Sequence, residues 1–145
     1  MTGVLRKAYS VVCVILMLQY VLQLYLIAAA IFTITHANDS ATDIYAAFKQ
    51  ADANYLPVHQ GNGDLAAIMT LLLLILSFAA RLPRRMIGLT ALLFVLMVIQ
   101  SLLPGPSVPA VVSAIHGVNP LVLIGLTGYL TGRNWAFARS QPAQA

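Results

Sequence analysis

Residues 64–103 read DLAAIMTLLLLILSFAARLPRRMIGLTALLFVLMVIQSLL, two apolar runs joined by the basic turn Arg81-Leu-Pro-Arg-Arg85. At 1.5 Å of rise per residue, each run as a helix approaches the roughly 30 Å of a bilayer's hydrocarbon core. So short a joint makes the two helices antiparallel neighbours. The rest of the chain has the same character: of 145 residues 60% are apolar and only 8% charged, against roughly 25% charged in a soluble domain. This is the composition of an integral membrane protein.

Working outward, four spans are predicted, at about 8–33, 57–80, 86–103 and 110–132, and they use nearly the whole chain as one domain. Met1 to Lys7 is a short basic leader. A cleaved signal peptide is the rival for the first run, since Ala28-Ala29-Ala30 resembles a cleavage site, but the run exceeds an ordinary signal core and is read as a retained helix. Residues 34–56 form the long polar loop. Within it Thr42 or Asp43 can cap a short surface helix whose Ile44, Ala47, Phe48, Ala51 and Tyr55 share a stripe. Pro104 to Pro109 forces a second loop, Asn119-Pro120 predicts a kink in the fourth span, and the tail carries Arg133 and Arg139.

The net charge is +4, but the basic residues sit at segment ends and do not form a nucleic-acid-binding face. Arg6, Lys7, Arg81, Arg84, Arg85, Arg133 and Arg139 fall on one side and only Lys49 on the other, so both termini are expected in the cytoplasm. The fold class is therefore all-α, an antiparallel four-transmembrane-helix bundle with the polar loop outside. Helices one and three, and helices two and four, are its diagonals. Cys13 is the single cysteine and reads as a core residue.

Set into these spans is a ring of polar residues: Gln23, His59, Asn62, Asp64, Gln100, His116 and Asn119. Such side chains in a membrane bundle usually face its interior and mark a site. Counting rise from the basic anchors puts Gln23, Gln100, His116 and Asp64 about 22 to 26 Å up, and His59 at roughly 33 Å. Each half of the chain also repeats a pattern, a late glutamine followed by His-x-x-Asn: Gln23 with His59 and Asn62, then Gln100 with His116 and Asn119. The halves run parallel, as in a duplication.

Two histidines on diagonal helices are what bis-imidazole ligation of a b-type heme requires, one from each face of the porphyrin. On this reading His59 and His116 are the axial ligands. Asn62 and Asn119 orient them or hold ring substituents, and Gln23 and Gln100 support them from behind. The absence of Cys-x-x-Cys-His excludes covalent attachment of c-type. A structural alternative stands beside it: buried polar groups in membrane bundles often only hydrogen-bond neighbouring helices, and Asp64 can pair with His116 or Gln100. Asp64 is also a candidate proton-relay acid. No nucleophile motif, phosphate-binding glycine loop or spaced carboxylate set points to an enzyme.

Beside electron transfer or redox sensing, the second functional expectation is a non-catalytic accessory or assembly subunit. Gly128 and Gly132 offer a close-approach face for a larger membrane complex or a homodimer. A carrier with Asp64 in its path is a third.

Together Gln23-Leu-Tyr-Leu-Ile-Ala-Ala-Ala-Ile-Phe32, His59, Arg81 to Arg85, Leu96-Met-Val-Ile-Gln100 and Ile115-His-Gly-Val-Asn119 resemble the small bacterial four-helix membrane family catalogued as domain of unknown function 6220. That resemblance covers nearly the whole chain and implies a multi-pass protein of the bacterial cytoplasmic (inner) membrane, with no activity attached. More distantly, the order Gln, His, Gln, His is similar to one half of the heme A synthase membrane domain, whose second and fourth helices carry histidines for heme. This implies His59 and His116 as axial ligands. The chain presents one such half and no paired cysteines in its outer loop, so the synthase reaction does not carry over.

Overall fold

A computed structural model describes residues 2–39, 43–105 and 107–137. They form α1 (Thr2–Asp39), α2 (Ile44–Ala79), α3 (Arg84–Leu102), the single turn α4 (Ala110–Ser113) and α5 (Ile115–Arg133), with no strand among the described residues. Four segments have the length and apolarity of membrane spans, α4 and α5 acting together as one. The surface is inverted relative to a soluble protein. Val21, Ile68, Ile75, Val95 and Leu121 are exposed, whereas Ser10, Thr70, Ser77, Thr90 and Thr127 are buried. Small and hydroxylated interiors let membrane helices approach closely, while lipid solvates the aliphatic exterior.

The helices close a ring in the order α1, α2, α3, α5; the diagonal pairs α1/α3 and α2/α5 do not come within 8 Å at Cα. One side-chain bond crosses the α1/α3 diagonal, between the Tyr9 and Thr90 hydroxyls at 2.8 Å. At the end of the bundle that holds the chain's N-terminus, Ser10 ties α1 to the segment after α5. Its hydroxyl donates to the Asn134 carbonyl at 2.9 Å and accepts from the Ala136 N–H at 3.1 Å. Arg139 and the tail beyond Phe137 lie outside the described residues.

The first two helices outgrow their predicted bounds. Residues 44–56, expected as a separate surface helix, are the opening turns of α2, which runs straight through Pro57. Asp43 is the cap, its carboxylate accepting from Tyr45 N–H at 2.9 Å and Ala46 N–H at 3.4 Å; Thr42, the other candidate, lies outside the described residues. The stripe is only partly right, with Ala47 and Ala51 buried but Ile44 and Phe48 exposed. Two causes combine. The basic leader joins α1, which extends at both ends and supplies a long partner for the two alanines. Pro57 removes only the bond to the Ala53 carbonyl, and Ala53 is exposed, so that group does not need a helical donor.

The second hairpin is short: α3 has 19 residues, about 28 Å at 1.5 Å each, which matches a hydrocarbon core. α1 and α2, with 38 and 36 residues, carry their hairpin roughly 25 Å beyond the end of α3. In the last span the helix assignment is interrupted at Ala114, and Pro120 sits inside α5.

The basic turn ends α2 in a Schellman motif: Leu82 N–H donates to Ser77 C=O at 3.1 Å and Arg81 N–H to Phe78 C=O at 3.0 Å. Arg81 takes the left-handed position, φ 51°, normally filled by glycine, and Leu82 tucks in behind it, 7% exposed. A side chain there costs about 1 kcal/mol. Arg81→Gly should therefore raise the unfolding midpoint in detergent by an amount equivalent to up to ~1 kcal/mol, less glycine's added chain entropy. A fall in midpoint would contradict this assignment. Of the two glycines offered as a contact face, Gly128 points at α1, where a Cβ would lie 3.9 Å from Met17 Cε, while Gly132 is open.

Candidate functional site

Near the top of the short hairpin the polar residues do converge, but mainly on backbone carbonyls. Gln23 Nε2 donates to the His59 carbonyl at 2.8 Å, and Gln100 Nε2 to the His116 carbonyl at 2.9 Å. Asn62 Nδ2 donates to the Gln19 carbonyl at 3.0 Å, and Asn119 Nδ2 to the Leu96 carbonyl at 3.0 Å. In each half, then, a glutamine reaches forward to the histidine's backbone, and the asparagine one turn on reaches back one turn below the glutamine. The two clasps are the same structure built twice.

The duplication continues into the core. Leu16 and Leu93 stand at the same offset as Gln23 and Gln100, while Thr70/Thr127 and Leu73/Leu130 keep the offset of His59/His116. All six are fully buried or nearly so. Those constant offsets were available in the sequence, hidden among leucines.

Prolines complete the second clasp. Pro120 lacks the N–H that would engage the His116 carbonyl within α5, which leaves that oxygen for Gln100. Pro104 likewise cannot engage the Gln100 carbonyl, and His116 Nδ1 takes it at 2.9 Å. Asn119 adds a bond to Gln100 Oε1 at 2.9 Å, both residues being buried. In the first half Gly63 stands where Pro120 does; a Cβ there would lie 3.1 Å from Gln23 Nε2, so the absence of one admits the amide. Ile27 replaces Pro104, and α1 runs on. The Gln23 carbonyl thus keeps its helical partner, and His59 Nδ1 is buried without a partner, as are Gln23 Oε1 and the Gln19 side-chain amide.

The two imidazoles meet across the α2/α5 diagonal, ring centroids 6.0 Å apart with planes at 69°. The roughly 7 Å height difference predicted for them exceeds that separation, so the rings stand closer to level than the count of rise implied. They share a cavity of about 450 Å³ whose lining comes from all four spans and includes Gln23, Gln100, Met97 and Leu123. Asp64 lines it too, but is exposed. The pairing of Asp64 with His116 or Gln100 is not made: His116 and Gln100 bond to each other and to Asn119. Nor do the asparagines touch the imidazoles, since they are spent on α1 and α3.

No set of three or more His, Cys, Asp or Glu side chains among the described residues is arranged to hold a metal ion. Residues 45–106 match DUF6220, a family of unknown function. The DUF6220 match takes in nearly all of α2, the basic turn and α3. It carries His59, Asn62, Asp64 and Gln100 but not Gln23, His116 or Asn119, and so covers less of the chain than the resemblance implied. No curated protein and no solved structure matches the chain.

Proposed function

We propose that this small helical membrane protein holds a b-type heme between α2 and α5 through His59 and His116, for electron transfer or redox sensing. The observation that carries the reading is the 6.0 Å between ring centroids inside a cavity lined from all four spans. Two imidazoles on opposite faces of one metal, with metal–nitrogen bonds of ~2 Å, put their centroids about 6 Å apart. The hydrogen bond at His116 supports the same reading. With Nδ1 held by the Gln100 carbonyl, that ring is fixed in orientation and Nε2 is the nitrogen left to ligate. The cavity lies in the ordinary size range of cofactor pockets, roughly 300 to 1,000 Å³, and its wall is apolar apart from a few convergent polar groups.

Bound there, the group would supply one-electron exchange. The chain's own part is positional. Gln23 and Gln100 fix the backbone at each histidine, Asn62 and Asn119 lock the neighbouring helices one turn away, and Met97 and Leu123 limit water below. The basic residues support an orientation with both termini and the Arg81 to Arg85 turn in the cytoplasm, placing the cavity towards the outer leaflet of a bacterial inner membrane.

The test is optical. Protein produced under heme-replete conditions and purified in detergent is expected to show a Soret band and, in the reduced-minus-oxidised difference, an α band, with about one heme per chain. Folded, helical protein with neither band would remove the reading.

A further inference from the structure

The two clasps share a design and differ in how they hold the ring. His116 is fixed twice, through its carbonyl by Gln100 Nε2 and through Nδ1 by the Gln100 carbonyl, which Pro104 leaves free. His59 is fixed once. Gln23 holds its carbonyl, but α1 continues past Ile27, no carbonyl is freed, and Nδ1 stays buried without a partner. The difference is built into the fold: the long hairpin denies to His59 the acceptor that the end of the short hairpin gives to His116. An imidazole with no hydrogen bond on its far nitrogen is less firmly oriented and less basic than one with such a bond.

We infer that the site has one permanent and one exchangeable ligand: His116 stays, and His59 yields its place to a small neutral diatomic molecule. This rests on the heme reading above. Exchange breaks the bond between His59 Nε2 and ferrous iron and forms one to the incoming molecule, with no change of oxidation state. Asp64 and Ser101, both exposed and both lining the cavity, mark where the incoming molecule can enter.

Carbon monoxide is the probe. Added to the dithionite-reduced protein, it should shift the Soret band, with a rate that saturates as its concentration rises because departure of His59 is limiting. In His59→Ala that limit should vanish, giving a rate linear in concentration and at least tenfold faster at the highest concentration. His59→Met, which keeps a weaker ligand, should fall between the two. A reduced wild-type spectrum that saturating carbon monoxide leaves unmoved would overturn the exchange while leaving the heme site standing. Relief of the limit in His116→Ala with none in His59→Ala would overturn the assignment of roles. Absence of a Soret band from the wild type would instead remove the underlying reading.

Discussion

On the proposed heme reading, His116→Ala should strip the protein of heme, lowering its heme affinity by more than the ~10–100-fold that loss of an outer partner costs a metal site. His59→Ala should retain most of the pigment but lose the six-coordinate, low-spin spectrum. The inequality follows from the clasps. The His116 ring is held by the Gln100 carbonyl and sits beside the buried Asn119–Gln100 pair, so it is already oriented before any ligand arrives. His59 brings an unbonded ring, and losing it removes one ligand without disturbing the other. Heme titration of the two purified variants, followed at the Soret band with helix content checked by circular dichroism, measures the difference. Equal retention by both variants would argue that the hydrogen bond at His116 Nδ1 has no bearing on ligation. Full retention by His116→Ala would move the site elsewhere.

How much of this could be read beforehand depends on what kind of interaction is involved. The hairpin at 64–103 was legible because span length and a basic turn are composition-level signals, and α3 fills its expected limits to within two residues at each end. The antiparallel ring and its diagonals followed from loop lengths alone. The Asp43 cap was legible because capping is local. By contrast, Pro57 was read as a helix start and lies inside α2. What a proline does depends on where the carbonyl it strands lies: Ala53 is exposed, and the His116 carbonyl accepts from a distant glutamine. The facing of Asp64 was not legible either, because the polar His59, Gln60 and Asn62 before it and the apolar run after it fix no single helical phase. Side chains that bond to backbone leave no complementary residue to search for, so the clasps showed in the sequence only as a repeat without a mechanism. The reciprocal spacing Gln100–Pro104 and His116–Pro120 was the one visible trace of how the second clasp works.

That reciprocity makes the two glutamines unequal, and Gln100→Leu should cost about 2 kcal/mol where Gln23→Leu costs well under 1 kcal/mol. Leucine at 100 removes the donor to the His116 carbonyl and the acceptor for Asn119. Pro120 then leaves that carbonyl with no helical N–H, and an unmade bond in an apolar interior costs more than an average membrane hydrogen bond contributes. Leucine at 23 removes one bond to the His59 carbonyl, which keeps the N–H of Gly63 within α2, and it also eliminates a buried amide oxygen that has no partner. These two effects oppose each other, so Gln23→Leu is nearly neutral despite matching Gln100→Leu in chemistry. Unfolding titrations with sodium dodecyl sulfate from a mild detergent would rank the variants, and a double-mutant cycle between Gln100 and Asn119 should return a coupling of roughly 0.5 to 2 kcal/mol. Equal destabilisation by the two leucines would mean that the freed carbonyls are satisfied in some other way, and the distinction between a closed and an open clasp would fall with them.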